Sequence, residues 1–277
     1  MSQYVHPETL VDTQWLSEHL DDPNVCIIEM DLTPELYEKG HIPRSIFWEA
    51  MITFKPNLQF NFDPTAMSEL LGSWGITNNT TIVVVHHSYF ATSGCLFWLL
   101  KVFGHNDIRI LNGGRQKWIL DGHALTKEKT VVAQTKYYAQ SPNKNLRISL
   151  EEIQKAMGKE SCILLDVRTP QEYSGKIFIM KPPTEEERAG HIPGAIALYY
   201  ELAHNDDGTF KSVTELQNIF GQKNITPDKL IVPYCTVGGR SGHTWFILKY
   251  LLGYPHVKNY DGSWNEWSRV PHLPIAK

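Results

Sequence analysis

Short apolar runs recur along the chain and alternate with longer stretches of helical spacing. In the first half, runs over 25–30, 81–85 and 108–111 have the length of buried strands, and helices are expected over 13–21, 65–74, 93–103 and 115–121. The second half repeats the order, with strands over 162–167, 230–234 and 257–260 and helices over 150–158, 213–220, 240–252 and 264–268. Wholly apolar strands separated by helices predict an α/β fold with a mostly parallel sheet covered on both faces.

The halves also share words. Gly40-His41-Ile42-Pro43 returns as Gly190-His191-Ile192-Pro193, Ser93-Gly94 as Ser241-Gly242, and Asn112-Gly113-Gly114 with Trp118 as Asp261-Gly262-Ser263 with Trp267. All three pairs lie at nearly one offset and in the same order, the mark of an internal duplication. Domains are therefore expected over 1–123 and 148–277, joined by a polar connector over 124–147. The second half adds a Lys-, Pro- and Glu-rich segment over 173–190.

Composition narrows the classes of function. The 277 residues hold 42% hydrophobic positions and carry a formal net charge of −4, enough for a packed core but no basic field for nucleic acid. The run 95–100 ends at Lys101, far short of a membrane span, and residues 1–11 lack a signal pattern, so a cytoplasmic protein without a membrane partner is expected. Four cysteines, far apart and with no Cys-x-x-Cys pair, predict neither a disulfide framework nor a metal site.

One loop differs between the copies. After the strand 230–234 the chain reads Cys235-Thr236-Val237-Gly238-Gly239-Arg240-Ser241 and enters a helix. Glycines let successive amides turn inward as an anion nest, the helix start adds unpaired N–H groups, and Arg240 adds a cation. Together they stabilise a thiolate and make Cys235 a nucleophile near neutral pH. Cys26, Cys95 and Cys162 sit in apolar runs and read as small buried hydrophobes. The first half has His86-His87-Ser88-Tyr89-Phe90-Ala91 at the matching place, without cysteine or glycine, and can build no such nest.

The duplicated layout, the paired Gly-His-Ile-Pro turns, Leu165-Asp166-Val167-Arg168, the Cys235 loop and Asp261-Gly262-Ser263 with Trp267 resemble the two-domain rhodaneses, a family of thiosulfate and mercaptopyruvate sulfurtransferases. The resemblance implies tandem rhodanese-like domains, a silent first copy, and a sulfur-carrying Cys235 in the second. Four residues separate Cys235 from Arg240, as in rhodaneses, whereas the related cysteine phosphatases use five and form a wider cradle. Sulfur transfer is thereby favoured over phosphatase or arsenate reductase chemistry, and the intact loop over a non-catalytic scaffold. The implied reaction is double displacement through a Cys235 persulfide ringed by amides from Thr236 to Ser241, with a small-molecule sulfur donor, a cyanide, thiol or thioredoxin-like acceptor, and no cofactor or metal.

The Gly-Arg-Ser ending of the loop is most similar to bacterial enzymes assigned to thiosulfate, with mercaptopyruvate as the alternative donor. Arg168 and Arg188 are candidates to meet donor oxygens, Arg188 alternatively pairing with Glu185, Glu186 or Glu187. In vertebrate rhodaneses the position of Glu172 is an arginine near the substrate. Asp166 is expected, by the resemblance, to help hold the active loop. His41 and His191 occupy matching turns and read as structural, His243 as a surface or interface group, and Trp118 and Trp267 as core. Phe47, Trp48, Phe54, Phe60 and Phe62 are expected to line the interdomain face.

Overall fold

The structure, a computed structural model, describes residues 3–178 and 181–277. In the first half, β1 (Leu10–Val11), β2 (Val25–Asp31), β3 (Ile46–Glu49), β4 (Thr81–His86) and β5 (Ile108–Leu111) form one parallel sheet in the order β1-β5-β4-β2-β3. Its helices are α1 (Thr13–Glu18), α2 (Glu35–Lys39), α3 (Pro64–Ser73), α4 (Ala91–Val102) and α5 (Gly114–Leu120). The second half follows with α6 (Leu150–Ala156), β6 (Cys162–Asp166), α7 (Pro170–Tyr173), β7 (Ile196–Ala197), α8 (Val213–Gly221), β8 (Leu230–Tyr234), α9 (Gly239–Phe246) and α10 (Ser263–Trp267), its parallel sheet ordered β7-β6-β8. Local chemistry sets several helix starts. Ser149 with Glu152, Thr169 with Glu172 and Ser212 with Glu215 each form a capping box.

Two expected elements differ. The strand over 257–260 is reduced to single bridges, Val257 with Ile231 and Asn259 with Arg147. Asn259 instead turns its side-chain amide to the Gly238 carbonyl (3.1 Å) and so serves the cysteine loop. The helix over 240–252 is α-helical only to Phe246 and then widens into a π turn, Ile247–Leu251. That turn brings both Phe246 and Tyr250 edge-on to Phe97, at ring distances of 4.7 and 4.8 Å.

The two halves meet through α4 and α9. Helix α4 is apolar on all sides because it is buried on all sides, against its own sheet and against α9. The repeated Ser-Gly pair lies at this crossing. A Cβ on Gly94 would stand 2.6 Å from the His243 Cα, and one on Gly242 would stand 3.4 Å from the Cys95 Cα, so glycine permits the close approach. Phe60 and Phe62 pack here against Trp98, whereas Trp48 is buried against Trp74 within the first half.

Residues 124–147 do not hang free. The Thr135 amide donates to the Gly72 carbonyl and the Gln140 amide to the Phe103 carbonyl, each at 2.9 Å, while Tyr137 is buried beside His105. Residues 4–6, placed by sequence in the first domain, bond to the second half. The Val5 and His6 amides donate to the Leu251 and Tyr250 carbonyls, and the Tyr4 hydroxyl to the Lys211 carbonyl (2.8 Å). His41 stacks on Tyr37 and His191 on Tyr173, and their backbones pair with Thr126 and Ala276, so both histidines pin the chain that follows their own half. Among the described residues no helix is long and apolar enough to cross a membrane.

Candidate active site

Strand β8 delivers Cys235 to its carboxyl end, the usual place for a site in a parallel sheet. The chain then turns through Gly238, in the left-handed region at φ +91°, and enters α9. A Cβ on Gly238 would lie 2.6 Å from the Asp261 carbonyl oxygen and 2.7 Å from the Phe60 ring, so both φ and space demand glycine. The Gly238 amide donates to the Cys235 Sγ (3.1 Å), with the Ser241 hydroxyl at 3.7 Å and the Ser263 hydroxyl at 4.0 Å. The Cys235 amide donates to the Ser263 Oγ (3.0 Å), an anchor that the sequence pattern presents only as a repeat landmark. Ser263 itself sits at φ +52° to make that reach.

Cys235 is 1% exposed, its sulfur lying beneath the loop that carries its hydrogen-bond donors. Burial pushes the thiol pKa up, but the Arg240 charge, the Ser241 amide and hydroxyl and the Val237 amide outweigh it and hold the group below its ordinary value. Burial raises Cys95 instead, and carries Cys26 up to about 12. Those two thiols are inert by comparison.

Arg240 does not face the cysteine alone. Its Nη1 donates to Glu172 Oε2 and its Nη2 to Glu172 Oε1, both at 2.7 Å, a bidentate pair. The Thr236 hydroxyl donates to Glu172 Oε1 (2.9 Å) and accepts from Arg240 Nη2 (2.5 Å). Burial would raise the Glu172 carboxyl, yet these bonds and the guanidinium charge hold it down to about 2. Glu172 thus closes the capping box of α7 and fixes the loop at once. Replacing it by glutamine removes the charge that offsets Arg240. The expected result is a Cys235 thiol pKa lowered further, read from the pH dependence of its alkylation, because the guanidinium charge near the thiolate is then uncompensated. An unchanged or raised thiol pKa would show that the carboxylate does not offset that charge.

The other two arginines are engaged elsewhere, contrary to expectation. Arg168 is buried, with Nε and Nη2 on the Asp166 carboxylate (2.9 and 2.6 Å) and Nη2 also on the Gly190 carbonyl (2.7 Å). Its guanidinium lies over Trp264, 4.8 Å from the ring centre. Arg188 donates to the carbonyls of Val270 (2.6 Å) and Leu273 and fastens the C-terminal segment, with no bond to Glu185, Glu186 or Glu187. Asp166 holds Arg168 rather than the loop. The structure therefore gathers Cys235, Thr236, Val237, Gly238, Gly239, Arg240 and Ser241, and leaves Arg168 and Arg188 outside. Among the described residues no cluster of three or more His, Cys, Asp or Glu side chains could hold a metal ion.

The family model for the rhodanese-like domain matches this chain twice, over residues 12–121 and 149–270. The chain belongs to the rhodanese family. It is 43% identical to the sulfur carrier protein TtuD of Thermus thermophilus, over 99% of this chain and 98% of that one. It is 39% identical to a Saccharopolyspora erythraea protein named "Putative thiosulfate sulfurtransferase", over 97% and 96% of the two chains. Among solved structures, wild-type EanB superposes with a TM-score of 0.88 at 25% identity, covering 100% of this chain and 71% of that one. A variant of EanB has been captured as a cysteine persulfide with ergothioneine.

The first rhodanese-like copy still contributes to the site. Strand register equates β2 with β6 and β4 with β8, which sets His86 at the position of Cys235 and Glu29 at that of Asp166. The His86 ring fills the space that a side chain on Gly114 would need (2.5 Å), and Gly114 (φ +56°) stands where Ser263 stands in the second copy. Tyr89, from the same first-half loop, reaches the other half. It packs on Tyr200 at 5.9 Å and feels the charges of Arg240, Cys235 and Glu172. Burial, the largest influence, raises its hydroxyl to about 12, so it stays neutral beside Tyr200.

A buried histidine pair of the second half lies behind the loop, against Phe90 of the first half. His243 is buried, not at the surface, and its Nε2 meets His204 Nε2 at 2.9 Å, with Phe90 stacked on His204. Burial lowers His204 to about 4 and His86 to about 3. These groups stay neutral in the fold but take up protons near pH 6.5 when unfolded, so stability is lost as pH falls from about 6.5 toward 4. His204 alone is expected to cost about 3 kcal/mol by pH 4, read as a drop in unfolding free energy in denaturant titrations. His204→Gln should flatten that slope.

Proposed function

We propose that this rhodanese moves the sulfane sulfur of thiosulfate to cyanide or a thiol through a persulfide on Cys235. The thiolate attacks the outer sulfur of thiosulfate, the S–S bond of the donor breaks, and sulfite departs with the bonding pair. Cyanide or a thiolate, including a cysteine of a thioredoxin-like protein, then attacks the outer sulfur of the persulfide and releases the Cys235 thiolate. Atoms and electrons balance with no external oxidant, and the two half-reactions share one site, so ping-pong kinetics follow. The Gly238, Val237 and Ser241 groups stabilise negative charge on sulfur, and Thr236 and Gly239 shape the turn. The observation behind this assignment is a thiol held below its ordinary pKa inside a turn of inward-pointing amides.

One observation favours a second donor class. The Arg240–Glu172 pair leaves the loop without an uncompensated cation, which suits a protein persulfide better than a dianion, and the similarity to a protein named as a sulfur carrier points the same way. Incubation with thiosulfate followed by intact mass measurement should show a gain of one sulfur atom. Comparison of kcat/KM for thiosulfate, mercaptopyruvate and a protein persulfide then ranks the donors. Absence of any adduct from thiosulfate, or a large preference for mercaptopyruvate, overturns the thiosulfate assignment.

A further inference from the structure

A cleft of about 560 Å³ opens along the seam between the halves, bounded by Phe62 and Lys55 from the first, Lys144 from the connector, and Tyr260 and Glu266 from the second. Cys235 does not line it. The two places are separated by the turn Asp261-Gly262-Ser263, whose serine holds the Cys235 amide while its own hydroxyl donates to the Tyr260 carbonyl (2.7 Å).

The cleft contains polar groups that the fold leaves unused. Tyr260 is 1% exposed, and its hydroxyl faces the Glu266 carboxylate yet has no hydrogen-bond partner of good geometry. A buried hydroxyl without a partner is costly and marks a place where a ligand or water completes the bonding. The Glu266 carboxylate folds back over Gly262, where a Cβ would lie 2.2 Å from Oε2, so a missing side chain makes room for it. Among the described residues no ion pair engages Glu266, Lys55 or Lys144. Burial, with the Asp261 charge behind it, raises the Glu266 pKa, and the Tyr260 hydroxyl and the more distant Arg147 charge only partly offset it. Arg147, by contrast, is spent: it pairs with Asp261 at 2.9 and 2.7 Å and lies 3.4 Å above the Phe62 ring.

Glu152, also in the lining, is met by Lys258 at 3.8 Å, which leaves Glu266 with the Tyr260 hydroxyl on the second-half wall, two exposed ammonium groups at the rim, and Phe62 beneath Arg147. We propose that this cleft binds a small zwitterion of the amino-acid type, its ammonium on Glu266 and Tyr260, its carboxylate toward Lys55 and Lys144, and its apolar side chain against Phe62. An anion alone would leave the half-buried Glu266 unpaired, while the exposed lysines at the rim add attraction for a carboxylate that an amine alone does not use.

Calorimetric titration of the full chain with L-phenylalanine, phenethylamine and phenylpropionate tests this. L-phenylalanine is expected to bind once per chain with a Kd on the order of 1 mM, and each single-charge analogue about tenfold more weakly. Glu266→Gln and Lys144→Ala should each weaken L-phenylalanine binding about tenfold. Lys144 is exposed, so the Lys144→Ala variant keeps the wild-type melting temperature and separates binding from folding. Cys235→Ser should bind L-phenylalanine as wild type does. No saturable heat for L-phenylalanine, equal binding of either analogue, unchanged affinity in both charge variants, or loss of binding in Cys235→Ser would each overturn the proposal.

Discussion

Cys235→Ser is expected to abolish sulfur loading while leaving the fold intact. The substitution exchanges sulfur for oxygen at a side chain already surrounded by hydrogen-bond donors, so packing changes little. What disappears is the nucleophile. A serine hydroxyl stays protonated at neutral pH and offers no polarizable thiolate, so turnover should fall by about a thousandfold or more. The measurement is paired: intact mass after exposure to donor, and thermal unfolding of the same sample. A sulfur adduct on the serine variant would place the carrier on another cysteine, and Cys26, Cys95 and Cys162 would then need testing despite their raised pKa values.

Gly238→Ala should be nearly as damaging, for a backbone reason. The residue sits at φ +91°, and the added methyl would press on the Asp261 carbonyl and the Phe60 ring at 2.6 and 2.7 Å. The Asp261 side is backbone, itself held by the Arg147 pair, so the loop must yield instead. Opening it moves the Gly238 amide away from Cys235 Sγ and loosens the seam at Phe60. A stability loss of about 3 kcal/mol or more is expected, together with a thiol pKa returning upward. Denaturant unfolding gives the first quantity, and the pH dependence of Cys235 alkylation gives the second. Normal alkylation kinetics in this variant would mean that the amide at 238 does not hold the thiolate.

The elements that were legible in sequence are those fixed by neighbours along the chain. Runs such as 81–85 and 230–234 are strands because nothing polar interrupts them, and both sheets are parallel because helices intervene. The run 95–100 is apolar throughout because a second helix covers the side that would otherwise meet water, a fact only the partner helix α9 explains. The widened turn at Ile247–Leu251 and the broken strand at 257–260 follow from side-chain packing across the molecule, which periodicity does not register.

The cysteine loop itself was local and therefore readable. A thiol, two glycines, an arginine and a helix start within one short segment specify the amide turn around Cys235 without reference to the rest of the chain. The charge balance of the site was not local. Glu172 reaches Arg240 from 68 positions earlier, and Tyr89 arrives from the first half. Arg168 and Arg188 are cations by composition, but Asp166 and the carbonyls of Val270 and Leu273 capture them first. The order of residues thus decided the duplication, the central strands and the amide turn at Cys235, since each depends on spacing within a segment. Which charges remain free, and what faces the sulfur, was decided by contacts between distant segments, because electrostatic partners are chosen by distance in space.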